Sequence, residues 1–142
     1  MSEIRIGGRP IGVGHPCFVV AEAGVNHNGS IDLACRLVEV AATAGADAVK
    51  FQTFKADETA TPDAPKAAYQ LRTTLPEESQ HSMLRRLELS DEAHTTLLSC
   101  CEANGILFLS TPFDSQSAAL LARLRVSALK IPSGEITNLP LL

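Results

Sequence analysis

The chain has 142 residues, the size of one ordinary domain, with 45% hydrophobic and 20% charged residues. Its net charge of −4 leaves no basic face for nucleic acid. No apolar run approaches the roughly 20 residues of a membrane span, and the opening MSEIRIGGRPIG lacks the apolar centre of a secretory signal. The expectation is a cytoplasmic protein that binds neither membrane nor nucleic acid. Its four cysteines, Cys17, Cys35, Cys100 and Cys101, match no metal clip, so reduced and mostly buried thiols are expected.

In chain order, residues 18–21 (FVVA) form a short apolar run suited to a strand buried on both faces. The polar tetrad Asn26 to Gly29 breaks it; it reads as a loop, because a lone His27 flanked by amides is no metal motif. Ser30 is a helix N-cap, with Leu33, Ala34, Leu37, Val38 and Ala41 at helical spacing and Gly45 at the stop. A second strand, residues 48–52 (AVKFQ), completes a βαβ unit. The mixed stretch from Phe54 to Leu89 holds Pro62, Pro65 and Pro76 and an apolar-periodic piece around Met83, Leu84 and Leu87. Connections this long tend to be lids or binding loops. Ser90 then caps a helix whose buried stripe is Leu97, Leu98 and Cys101, and Asn104-Gly105 ends it. A third strand at 106–109 leads to Ser110-Thr111-Pro112, Asp114 caps a third helix with Ala118, Leu121 and Leu124 inward, and a fourth strand is expected at 128–131.

Short apolar strands alternating with helices specify an α/β fold with a parallel sheet. Polar residues recur near the ends of successive strands: Glu22; Lys50 with Gln52; Ser110 with Thr111; Lys130 with Ser133. A barrel gathers such ends at one mouth, whereas an open sheet concentrates its site at one switch point. A TIM-type (β/α) barrel is therefore expected, of which only the first four βα units are present. A whole barrel needs about 250 residues, so a fragment or a partner half is implied.

Lys50 and Lys130 each close an apolar strand, where an uncompensated charge is costly. Aimed at one mouth they would repel; a shared phosphate or carboxylate resolves the conflict, each contact at ~4 Å being worth on the order of 4 kcal/mol at an effective dielectric near 20. Thr111 and Ser133 add hydroxyls that hold anion oxygens without charge. Glu22 and Glu135 are unsuited to an anion and fit proton transfer or sugar hydroxyls; an ordinary ion pair with Lys50 or Lys130 is the competing reading from spacing. His15, His81 and His94 carry no pattern, and Gly12-Val13-Gly14 precedes the first buried strand and lacks a third glycine, so it is no dinucleotide loop.

Five segments in order resemble the N-acetylneuraminate (sialic acid) synthase family: FVVAEAGVNHNGS at 18–30, AVKFQT at 48–53, LELS at 87–90, STPF at 110–113 and KIPSGEITNLPL at 130–141. The resemblance implies a TIM-type barrel followed by a small antifreeze-like domain, in a homodimer of the complete protein. Residues 1–142 would be the N-terminal half of that barrel, without the remaining strands or the small domain. It also implies a metal-dependent (Mn or Mg) condensation of phosphoenolpyruvate with an N-acylated amino sugar such as N-acetylmannosamine. By this resemblance Lys50, Thr111, Lys130 and Ser133 match phosphoenolpyruvate positions, Gln52 and Glu135 sugar positions, and Glu22 the acidic residue near the reacting carbons. The family's metal ligands, two histidines of the later strands, have no counterpart in this sequence, so no synthase activity is expected of the chain alone. Two rival readings are a Schiff-base aldolase with Lys130 as nucleophile and a truncated, non-catalytic fragment.

Overall fold

The computed structural model describes residues 4–68, 70–72 and 78–142. A two-stranded antiparallel hairpin, β1 (Ile4–Ile6) and β2 (Arg9–Ile11), precedes a three-stranded parallel sheet of β3 (Val20–Gly24), β4 (Ala48–Thr53) and β5 (Leu107–Pro112) in that order. Helix α1 (Ile31–Thr43) links β3 to β4. Between β4 and β5 lie α2 (Ala56–Thr59), a 3-10 turn at Gln70–Arg72, α3 (Gln80–Leu87) and α4 (Asp91–Ala103). After β5 come α5 (Ser115–Arg123) and a 3-10 turn at Ser133–Glu135. The long stretch from Phe54 to Leu89 is thus partly helical; Pro76 lies outside the described residues.

The three main helices start where their capping side chains sit. Ser30 Oγ accepts from the Leu33 N–H at 3.2 Å, Ser90 Oγ from the Ala93 N–H at 3.2 Å, and Asp114 Oδ1 from the Ser117 N–H at 2.7 Å, each satisfying an N–H that the helix leaves free. Gly45, with φ +81°, ends α1 in the left-handed conformation that glycine adopts without penalty. Ala34, Val38 and Ala41 of α1, Leu97 and Cys101 of α4, and Leu121 of α5 pack with Ala23, Val49, Phe51 and Phe108 of the sheet into one buried cluster. Side chains alternate across a strand, so this cluster takes every second sheet residue. The opposite face is free to carry others.

The hairpin was not anticipated, although Gly7-Gly8 between alternating isoleucines is a recognisable turn signal. Both glycines have positive φ, and a Cβ on Gly7 would collide with the Leu107 side chain, so the turn lies against the start of β5. Arg9 pairs with Asp47, whose Oδ2 accepts from the Val19 N–H at 2.7 Å. The hairpin is thereby tied to the end of the sheet where β3 and β4 begin.

Two expectations need correction. Residues 128–131 form no strand; a single bridge, Leu129 to Ser110, joins them to β5. Only one side of this segment has a partner, and Leu129 and Ile131 stand 43% and 42% exposed. The cysteines are not all reduced: Cys35 and Cys100 form a disulfide, because α1 and α4 pack side by side and bring their Cα atoms to 6.0 Å, within bridging range. Cys101, one position on, faces the core, and burial pushes its thiol up to about 12. Cys17 is free and exposed. No helix among the described residues is long and apolar enough to cross a membrane.

Candidate functional site

The register of the parallel sheet builds the site. Glu22 pairs with Lys50, Lys50 with Leu109, and Gln52 with Thr111. In a parallel ladder paired residues project to the same face, so Glu22, Lys50, Gln52 and Thr111 share the face opposite the helix-covered one. Lys50 forms an ion pair with Glu22, and its Nζ donates to Thr111 Oγ1 at 3.4 Å. Lys50 keeps only 15% of its side chain exposed while Glu22 keeps 52%. The ammonium is therefore seated on the sheet and the carboxylate covers it from the solvent side.

A bulge shifts the register between Glu22 and Gly24. Gly24 has φ +54°, and a Cβ there would sit 3.1 Å from Glu22 Oε1 and 3.6 Å from Gln52 Nε2. The missing side chain lets the carboxylate and the amide close over the strand end, as bulges beside functional sites often do. Lys130 follows the Leu129 bridge, and its N–H donates to the Ser110 carbonyl at 3.4 Å. Alternation carries Lys130 to the face of Thr111. It is exposed and makes no ion pair with another described residue.

Of the residues singled out from sequence, the structure thus connects Glu22, Lys50 and Thr111 directly and sets Gln52 beside them. The ion pair of Glu22 with Lys50 is the competing reading realised in the ligand-free chain. Ser133 and Glu135 sit in the 3-10 turn beyond Lys130, where Glu135 Oε2 accepts from Asn138 Nδ2 at 2.7 Å and Ser133 is exposed. No hydrogen bond or ion pair among the described residues joins either to the Lys50 group.

Two of the polar residues noted from sequence, Ser110 and His27, are turned into the fold instead. Ser110 is fully buried on the helix side, where its hydroxyl lies 2.7 Å from Thr53 Oγ1; it cannot share a face with Thr111, its neighbour. His27 is no loop-surface residue either. It is 0% exposed, its Nδ1 accepts from the Gly29 N–H at 3.0 Å, and its Nε2 has no partner among the described residues. Burial holds the His27 pKa below 6.5, and the nearby His94 lowers it further.

Sequence reasoning passed over His94. Its Nδ1 lies 2.8 Å from the Ser90 carbonyl and its Nε2 2.9 Å from Thr53 Oγ1, with only 1% of the residue exposed. The signal was present: His94, Leu97 and Cys101 recur at helical spacing on the buried stripe of α4. Asp114 was read as a cap but does more. Its Oδ2 also accepts from the Lys55 N–H at 2.8 Å and from Ser117 Oγ at 2.7 Å, joining the loops that follow β4 and β5.

The residues present do not fit a divalent metal. Among the described residues no group of three or more His, Cys, Asp or Glu is placed to hold one, and the Nδ1 of His27 and both ring nitrogens of His94 are already engaged within the fold.

Comparison with known proteins shows what the chain is similar to in sequence and fold. The chain is 54% identical over 125 residues to the N,N'-diacetyllegionaminic acid synthase of Campylobacter jejuni, covering 88% of this chain and 37% of that protein. It is 52% identical to the Legionella pneumophila enzyme of the same name, covering 99% of this chain and 40% of the relative. The chain therefore spans about two-fifths of the length of these curated relatives. Among solved structures, the N-acetylneuraminic acid (sialic acid) synthetase of Leptospira borgpetersenii superposes with a TM-score of 0.78 at 32% identity, over 99% of this chain and 44% of that one. The sequence profile of the NeuB family matches residues 37–142, three quarters of the sequence, and together with these relatives it shows that the chain belongs to the NeuB family.

Proposed function

We propose that the chain provides the phosphoenolpyruvate-binding half of a (β/α)-barrel synthase that condenses phosphoenolpyruvate with an N-acylated amino sugar, giving a sialic acid-type nonulosonate and phosphate. The observation that carries the reading is Lys50, held on the helix-free face of the sheet between Glu22 and Thr111. A face turned away from α1, α4 and α5, with polar groups toward the C-terminal ends of the strands, suits a barrel interior better than an open sheet packed alike on both sides. The curated relatives named as synthases of legionaminic acid support the same substrate class.

In this reading phosphoenolpyruvate displaces the Glu22 carboxylate from Lys50 and brings Lys130 in from the neighbouring segment. The two cations and the Thr111 and Ser133 hydroxyls hold the phosphate and carboxylate. Gln52 and Glu135 take sugar hydroxyls. A carbon–carbon bond forms between the methylene of phosphoenolpyruvate and the aldehyde carbon of the sugar, whose oxygen becomes a hydroxyl. Water adds to the electron-poor carbon left behind and gives one proton through the freed Glu22 to the former aldehyde oxygen; the C–O bond to phosphate then breaks, and phosphate leaves with the second water proton as the keto group forms. The described residues do not suit a metal, and no step here is assigned to one.

Calorimetric titration of the chain with phosphoenolpyruvate tests the reading. Binding that weakens with added salt, and that falls by at least about tenfold in Lys50→Met, the equivalent of one charge-assisted contact, is the expected outcome. Equal affinity in Lys50→Met would refute it. Borohydride trapping of a covalent pyruvate adduct at Lys130 would favour the Schiff-base alternative instead.

A further inference from the structure

We propose that the buried chain Ser110–Thr53–His94 is a positioning device that orients Ser110 from behind, so that its backbone can dock the Lys130 segment beside Thr111. The proposal rests on the reading that Lys130 belongs to the binding face, but its test does not. The three side chains are 0%, 3% and 1% exposed, so every polar atom among them must find a partner inside the fold. His94 Nδ1–H donates to the Ser90 carbonyl at 2.8 Å, which leaves Nε2 of the neutral ring as an acceptor. Thr53 Oγ1–H then donates to Nε2 at 2.9 Å, and Ser110 Oγ–H to Thr53 Oγ1 at 2.7 Å. The chain runs in one direction and is anchored on the residue that caps α4.

Its placement gives it a task that ordinary core packing does not. Phe51 pairs with Ser110 and Thr53 with Pro112, so the hydroxyl bond crosses the β4–β5 ladder diagonally at its last rung. The hydroxyl bond thus adds a side-chain tie inside the fold beside the backbone bond from the Phe113 N–H to the Thr53 carbonyl at 3.1 Å. Gln52 and Thr111, which alternate with Thr53 and Ser110, project from the same two strand ends to the other face. Ser110 is also the sole residue bridged to the 128–131 segment among the described residues, through Leu129 and the N–H of Lys130. The segment that carries Lys130 therefore hangs from a residue whose side chain is fixed by Thr53 and, through it, by His94.

The test is amide hydrogen exchange in the whole chain, comparing Thr53→Val, which keeps shape and loses the hydroxyl, with Thr53→Ser, which keeps it. In Thr53→Val the Lys130 amide should exchange about tenfold faster, the equivalent of one lost buried hydrogen bond, while amides of α1 keep their protection. Thr53→Ser should restore the original rate at Lys130. Ser110→Ala, which removes only the terminal donor, should speed the same amide and serves where Thr53→Val fails to fold. A Lys130 amide unprotected in the unaltered chain, or one that exchanges alike in all variants, would overturn the proposal. Failure of phosphoenolpyruvate to bind would sink the functional reading and leave this exchange result to decide the positioning role separately.

Discussion

Mild acid should loosen this fold through two histidines that its core keeps neutral. His27 and His94 are both almost wholly enclosed, and burial is the largest cause holding each pKa below 6.5; the partner imidazole adds to the effect at His27. In the unfolded chain both return to the ordinary value. Above 6.5 neither state binds a proton at these rings, so stability there is independent of them. Between 6.5 and the depressed folded value the unfolded chain binds more protons, and stability falls as pH falls. Over that interval each histidine removes stability at a rate that cannot exceed the full linkage of about 1.4 kcal/mol per pH unit. Two such residues together remove at most about 2.8 kcal/mol per pH unit, against the roughly 5–15 kcal/mol typical of a folded domain. Urea denaturation followed by far-ultraviolet circular dichroism at pH 8, 7, 6 and 5.5 measures it. The midpoint should hold from pH 8 to 7 and then drop, and His94→Asn should shrink the drop by about half. A midpoint unchanged from pH 7 to 5.5 would refute the argument, because it would mean that the rings gain protons equally in both states.

Reduction of the Cys35–Cys100 bridge releases a loop closed over a sequence separation of 65, which chain-entropy arguments value at about 4 kcal/mol. Adding dithiothreitol should therefore lower the urea midpoint, Cys35→Ser should lower it equally, and thiol titration should rise by two groups on reduction; an unmoved midpoint would show that the bridge carries no stability. Gly29 has φ +79°, and a Cβ there would strike the Arg86 carbonyl, whereas Gly105 has φ +65° with nothing near it. Gly105→Ala should cost about 1–2 kcal/mol from backbone strain alone, and Gly29→Ala should cost more, with equal losses in thermal melts counting against the contact between α3 and the loop after β3.

Much of the fold was legible because its signals are local. Ser30, Ser90 and Asp114 each precede an apolar stripe at helical spacing, and each caps the helix expected of it. Lys50 and Thr111 stood out for the same reason, as polar residues in otherwise apolar strands. Helical spacing with Leu97 and Cys101 could have marked His94 as buried, but its hydrogen-bond partner Thr53, 41 positions away, is visible only in the fold. Ser110 was placed on the wrong face because adjacent hydroxyl residues look alike in sequence, while strand alternation sends them to opposite sides.

What the sequence determined by itself was the order of the three parallel strands with α1, α4 and α5, the caps of those helices, and the family to which the chain belongs, since each depends on residues close together or on ordered motifs. Tertiary structure alone decided three things: that Glu22 neutralises Lys50 in the absence of ligand, that Cys35 meets Cys100, and that residues 128–131 hold on by one bridge. Each depends on which surfaces of distant elements meet, and on where a sheet runs out of partners. Neither is written in local periodicity.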